Sequence, residues 1–159
     1  MIIISKFTDE ELPVLQYIDH ICFSKKEQYD VATINYLTEY GSTYVAIDTD
    51  FDKIVGYITT IIHDSNNISS NIKLLLDTHK FKLVTEVFSI AVLPEYQRKN
   101  ISQMLLDAAN CNLPMYLYVK KSNENAQKAY EKNNWTCYGT IANYYGPDTD
   151  ALFMCKNFI

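Results

Sequence analysis

The chain has 159 residues, 48% of them apolar and 21% charged, with a formal net charge of −5. That balance fits one globular domain over residues 1–159 and excludes a disordered chain, while an acidic total without a basic run speaks against a nucleic-acid partner. Four cysteines, Cys22, Cys111, Cys137 and Cys155, stand far apart with no C-x-x-C pair, which argues against zinc and against a disulfide framework.

Met1 to Ile4 is apolar, but Ser5 and Lys6 follow at once. That leaves neither a signal-peptide core nor a membrane span, and points to the cytoplasm. Ile2 to Phe7 reads as a strand. Thr8-Asp9-Glu10-Glu11 is a helix start that tolerates Pro13 only in the first turn, and the helix runs to about Cys22. A polar gap, Ser24 to Gln28, precedes a second helical pattern from Tyr29 to Tyr40, stopped by Gly41. Thr43 to Ile47 and Lys53 to Ile62 form a hairpin around the acidic tip Asp48 to Asp52, with β-branched and aromatic residues on both arms. Across His63 to Lys80, Asn and Ser crowd the first half, and Ile72 to Leu76 is either a short helix or a buried loop. Lys82 to Leu93 is the central strand, Ile101 to Asn110 a helix, Pro114 to Lys120 a strand and Asn123 to Asn133 a helix. Two last strands cover Trp135 to Ala142 and Ala151 to Phe158.

The passage from the central strand into the next helix is where chemistry enters. A strand, a polar turn and a helix N-terminus string together backbone N–H groups at the positive end of a helix dipole, which is an anion site. The turn, Gln97-Arg98-Lys99-Asn100-Ile101-Ser102 followed by Gln103, resembles the Gln/Arg-x-x-Gly-x-Gly/Ala pyrophosphate loop of the GNAT superfamily of N-acetyltransferases. Asn100 and Ser102 stand where the family prefers glycine. Asn tolerates the left-handed backbone region better than other non-glycine residues, and Ser is small. Downstream, Leu117, Val119, Asn123, Ala126 and Tyr130 match the family's next strand and helix, with Asn134 replacing a glycine and Trp135 an aromatic. The run Asn143-Tyr144-Tyr145 and the segment from Asp150 to Lys156 are similar to the ending of the protein N-terminal acetyltransferase branch, including the ribosomal-protein-alanine type. The likeness is close from about Glu86 onward and schematic before it.

The resemblance implies an α/β fold with a twisted mixed sheet of six to seven strands, flanked by about four helices. It implies acetyl-CoA as cosubstrate, held by residues 97–103, by Asn123 and Tyr130, and by the strand edge at Ile90, Ala91 and Val92, whose N–H groups can pair with the pantetheine amides.

Amine acetylation needs a base, because free pKa values of about 10.4 for lysine and about 7.7 to 8.0 for an α-amine leave the nucleophile protonated. Glu86 lies eleven residues before Gln97, where histone-type members of the family carry a carboxylate, and its neighbours Val87 and Phe88 desolvate it. Tyr130 matches the tyrosine beside the coenzyme sulfur and implies the acid that meets the leaving thiolate. Tyr118 stands where some N-terminal acetyltransferases carry His or Glu; a phenol there orients a water and leaves the base role to Glu86. Phe23, Phe88, Tyr144 and Tyr145 resemble the residues that line an acceptor pocket, although Ser24 follows Phe23 where the branch often has proline. His20, His63 and His79 match no family motif, and no metal is expected.

The expectation is a direct acetyl transfer in a ternary complex to a primary amine, with a peptide or protein N terminus ahead of a small amine or lysine, in a monomer or homodimer. The contrasting expectation is a GNAT-fold module that binds coenzyme without catalysis, since both loop glycines are replaced.

Overall fold

At several helix starts in this chain a carboxylate or amide satisfies an otherwise unpaired N–H group. The Glu11 carboxylate accepts the Thr8 N–H at 2.7 Å, closing a 3-10 turn at Asp9–Glu11 that leads into helix α1 (Leu12–Cys22), with Pro13 in its first turn. Asp30 accepts the Thr33 N–H at 2.7 Å and so starts helix α2 at Val31–Tyr40, two residues later than its apolar periodicity suggests. The remaining elements are β1 (Ile2–Lys6), β2 (Ser42–Asp48), β3 (Lys53–Asp64), α3 (Ser70–Leu75), β4 (Leu83–Val92), α4 (Ile101–Ala109), β5 (Met115–Lys120), α5 (Glu124–Lys132), β6 (Thr136–Ile141) and β7 (Ala151–Lys156). They are seen in a computed structural model that describes residues 1–25, 27–78 and 80–158; His79 lies outside the described residues. The seven strands follow the sheet order β1-β2-β3-β4-β5-β7-β6.

The open reading of residues 72–76 closes as a short helix, α3, which buries Ile72. It brings the helices among the described residues to five, one more than the resemblance implies. None is long and apolar enough to cross a membrane.

The fold divides into two compact units, Met1–Ile61 with Val87–Cys111 and Ile62–Glu86 with Asn112–Ile159. In the first, β1 pairs antiparallel with β2 from Ile2↔Asp48 to Lys6↔Tyr44, and β2 with β3, with a bulge between Ala46 and Ile47. Leu15 and Ile18 of α1 pack with Val45, Tyr57, Ala91 and Leu93. Helix α4 packs on β1 and β2, burying Ile101, Leu105, Leu106 and Ala109, one face of a 3.6-residue repeat.

In the second unit β4 pairs in parallel with β5 at Thr85↔Met115 and Glu86↔Tyr116. β5 and β6 both pair antiparallel with β7. Ile72 and Leu76 pack with Val84, Tyr116, Phe153 and Phe158. This core carries an unusual share of aromatic rings, and one of them, Tyr116, also faces a carboxylate.

Candidate active site

In the first unit, β4 ends in a 3-10 turn at Pro94–Tyr96. The Gln97 side-chain amide then donates to the Val92 carbonyl at 3.0 Å, folding the turn back on its own strand. Arg98 and Asn100 both have φ of 63°. Asn accepts that left-handed conformation readily, whereas an L residue such as Arg is strained there by about 1–2 kcal/mol. Asn100 immediately precedes α4, and its side chain makes no capping hydrogen bond. The first N–H groups of α4, on Ile101, Ser102 and Gln103, are therefore not taken by Asn100, as an anion cradle requires. The Lys99 ammonium lies 4.8 Å from the Tyr96 ring centroid, and Lys53 lies 5.6 Å from the same ring. The Tyr96 hydroxyl donates to Asp48 at 3.0 Å.

Upstream of the turn, Gly56 permits the close approach of β3 to the end of β4: a Cβ there would sit 2.8 Å from the Ala91 carbonyl oxygen. Ile90 is half-buried, and Ala91 and Val92 are buried. The Cys22 thiol donates to the Val92 carbonyl at 3.4 Å, and burial, then the nearby Asp19 and Glu95 carboxylates, push its pKa up to about 11. It is a poor nucleophile.

In the same unit a group of aromatic side chains is tied to a buried carboxylate. Asp19 accepts the Tyr57 hydroxyl at 3.0 Å and the Tyr29 N–H at 3.1 Å, while Tyr57 and Ser89 share a 2.8 Å hydrogen bond. Burial raises the Asp19 carboxyl above its ordinary value, opposed by the bonds from Tyr57 and Tyr29. Tyr29 in turn donates its hydroxyl to the Phe88 carbonyl at 3.1 Å, with its ring 5.2 Å from the Phe88 ring. Phe23 caps the C-terminus of α1, packed against that helix's buried face.

In the second unit the parallel register sets Glu86 opposite Tyr116. One carboxylate oxygen, Oε2, accepts the Tyr116 hydroxyl at 3.1 Å and lies 2.7 Å from Nε2 of His63. Two polar partners thus hold the carboxylate beside its sequence neighbours Val87 and Phe88. Tyr118, two residues along the same face of β5, stacks on Tyr144 with centroids 4.6 Å apart and 20° between planes. The Tyr145 hydroxyl donates to the Tyr118 carbonyl at 3.1 Å and so fixes the turn before β7, leaving Tyr144 about half exposed. Burial, followed by Tyr144 and Glu86, pushes the Tyr118 phenol up to about 12, and burial first among causes raises Tyr116 and Tyr144 as well. All three are hydrogen-bond donors at neutral pH and none is a base.

Tyr130 is buried, which alone pushes its phenol up to about 12, and packs 5.8 Å from the Trp135 ring. Between them Asn134 has φ of 67°, the left-handed geometry its glycine counterpart would supply. The Asn123 side chain is engaged in capping α5 through the Ala126 N–H at 3.2 Å.

The structure therefore gathers Glu86, Tyr118, Tyr144 and Tyr145 in the second unit, and residues 90–92 and 97–103 in the first. Phe23 and Phe88 belong to the first unit, and Asn123 and Tyr130 to the second. Sequence reasoning missed His63 and Tyr116. The alternation of Tyr116 with Tyr118 on one strand face was a usable signal; His63 escaped because β3 runs two residues beyond its expected end at Ile62. Among the described residues no group of three or more His, Cys, Asp or Glu could hold a metal ion.

The chain is similar to known proteins in sequence and in fold. The model of the acetyltransferase (GNAT) family matches residues 10–135. An N-alpha-acetyltransferase of Saccharolobus solfataricus is 33% identical over 131 residues, covering 77% of this chain and 74% of that protein. In fold, the chain is similar to Arabidopsis thaliana NAA60 in complex with acetyl-CoA, with TM-score 0.84 and 19% identity over 100% of both chains. It is also similar to the ribosomal-protein-S18-alanine N-acetyltransferase from Escherichia coli, with TM-score 0.75 and 21% identity over 98% of this chain and 92% of that one.

Proposed function

The chain belongs to the GNAT family of acetyltransferases, and from that premise we propose that it acetylates the N-terminal amine of a peptide or protein. Acetyl-CoA is the donor. The observation that carries the acceptor assignment is the 33% identity with an N-alpha-acetyltransferase over 77% of the chain. The aromatic surround of Glu86 supports it: Tyr118 and Tyr144 offer apolar faces to a first side chain and hydroxyl donors to its peptide groups.

In this reading the diphosphate of the coenzyme lies on the backbone of Arg98 to Gln103, and the pantetheine arm pairs with the strand edge at Ile90 to Val92. Asn123 contacts the coenzyme through groups its cap leaves over. Glu86 takes the proton of the amine through Oε1, the oxygen that no protein group engages among the described residues. Tyr118 orients the acceptor as a neutral phenol. Tyr130 donates a hydrogen bond to the departing sulfur, since its raised pKa keeps the proton in place. Phe23, Phe88 and Tyr145 shape the walls of the acceptor site. Transfer is direct, and the protonated Cys22 forms no acyl intermediate.

The test is thiol release from acetyl-CoA with a panel of N-terminal peptides beside lysine side-chain analogues and a polyamine. Peptides with a free α-amine should turn over fastest. Faster acetylation of the polyamine would reject the N-terminal assignment, and the absence of turnover with every amine would favour a coenzyme-binding module.

A further inference from the structure

Resting on the reading of a peptide N terminus as the acceptor at Glu86, we infer that the cavity between α3 and β6 receives an apolar side chain of that peptide's third or fourth residue. The pocket thereby selects among acceptors. It measures about 220 Å³, and every residue lining it belongs to the second unit. That is smaller than the roughly 300–1,000 Å³ of a site for a whole small molecule, and suits one large side chain. Its floor is a single row across three strands. Tyr118 of β5 pairs with Phe153 of β7, and Phe153 pairs with Gly139 of β6, so the three residues face the same side of the sheet. The two rings stand 5.3 Å apart, and the row then ends on a residue with no side chain. Nothing in its surroundings requires Gly139 to be glycine: an added Cβ would meet no atom within 4 Å, and its φ lies outside the left-handed region. What the glycine does is leave the space open. Ile72 and Leu75 of α3 supply a second wall, and among the described residues no charged side chain lines the cavity. An ionised group entering it would lose water without gaining a partner, whereas an apolar group gains from the burial.

Tyr118 makes the cavity continuous with the acceptor side of Glu86, because it both stacks on Tyr144 and lines the cavity. The register gives the distance. Glu86 pairs with Tyr116 across β4 and β5, and Phe153 lies one strand further over, opposite Tyr118. Strand spacings of about 4.8 Å and rises of about 3.3 Å per residue put Phe153 about 12 Å from Glu86. An extended chain, at about 3.3–3.6 Å per residue, crosses that span in three to four residues. The first side chain therefore stays beside Tyr118 and Tyr144, and the cavity is reached by a later one.

The test is thiol release from acetyl-CoA with peptides of one sequence that carry Leu, Phe, Asp or Lys at the third or at the fourth residue. Using both charges separates loss of water from attraction or repulsion by Glu86. At one of the two positions the wild type should show a kcat/KM roughly tenfold higher or more for Leu or Phe than for either charged residue, chiefly through KM. Equal values across the set would overturn the inference, and this comparison needs no variant. Gly139→Leu fills the cavity at a position where the backbone accepts a side chain, and should bring the ratio of apolar to charged peptides close to one. A ratio that keeps its wild-type value in a variant with the wild-type unfolding midpoint would also overturn it. So would a changed oligomeric state in Gly139→Leu with the ratio unmoved, which would give the cavity to a second copy of the chain. The two readings fail differently. If no peptide is acetylated while a polyamine is, the acceptor reading itself falls; if peptides are acetylated without regard to their third and fourth residues, only the cavity inference falls.

Discussion

The turn at residues 97–103 and the Glu86 cluster are built from different materials. The turn works with main chain: two left-handed residues, Arg98 and Asn100, aim it, and the helix that follows presents N–H groups that its preceding residue does not cap. The Glu86 cluster works with side chains, in which one carboxylate oxygen is held by an imidazole and a phenol and three further tyrosines wall the space beyond. A main-chain site tolerates side-chain replacement as long as the backbone angles survive, and Asn100 keeps the left-handed angle that glycine would supply. A side-chain site does not, because the removal of one partner leaves another unpaired. Substitutions should therefore be cheap in the turn and costly in the cluster.

The sharpest way to break that contrast is Glu86→Gln, which should lower kcat/KM for the amine by about a hundredfold or more with little change in the acetyl-CoA constant. An equal loss in coenzyme affinity would mean that the two regions are not separate in function. Tyr144→Ala comes next. Loss of a stacked, half-exposed ring should raise the peptide KM by about tenfold, as an interface anchor does, while KM values for acetyl-CoA and a polyamine move much less. Tyr118→Phe removes one donor and keeps the ring, so a loss of about threefold to tenfold is expected. Because burial holds that phenol at about 12, the substitution should shift neither limb of the rate profile below about pH 10; a displaced limb would return Tyr118 to the role of base.

The smallest effect belongs to the turn. Asn100 already occupies the left-handed region, so Asn100→Gly should keep acetyl-CoA affinity or tighten it slightly, measured by calorimetry. A marked fall would show that the Asn side chain is itself a contact. Within the first unit, Asp19 supplies a test of sign. Its carboxyl is raised in the folded state, so the folded protein holds that proton more tightly than the unfolded chain does. The contribution of Asp19 is then greatest below the unfolded value of about 3.9 and declines as pH rises through the raised folded value. The stability difference between the wild type and Asp19→Asn, from denaturant unfolding, should accordingly shift against the wild type between acid and neutral pH.

Legibility in the sequence follows the same division. The turn could be read because backbone conformation leaves a local signature of residue types at fixed spacing, and the strands and helices around it could be read from periodicity. Element ends were less legible where a side chain decides them, as Asp30 does for α2. The partners of Glu86 were the least legible. His63 lies 23 residues away in sequence, beyond any local pattern, and pairs with Glu86 only because β3 continues to Asp64. Tyr116 sat in plain view among thirteen tyrosines, and only the β4–β5 register singles it out.

Besides Asn100 and Asn134, the residues at positive φ include Asn112, Asn143, Asn157, Asp52 and Asp148, against Gly146 as the single glycine. A glycine at each of these bends would fit with less strain but would leave the unfolded chain freer. By choosing asparagine and aspartate the protein narrows its denatured ensemble instead, and less disorder has to be removed when each turn forms. If the turn at residues 97–103 holds the coenzyme as proposed, the same choice leaves little conformational freedom to be lost on ligand arrival, so the modest number of contacts a diphosphate makes can be expressed as affinity.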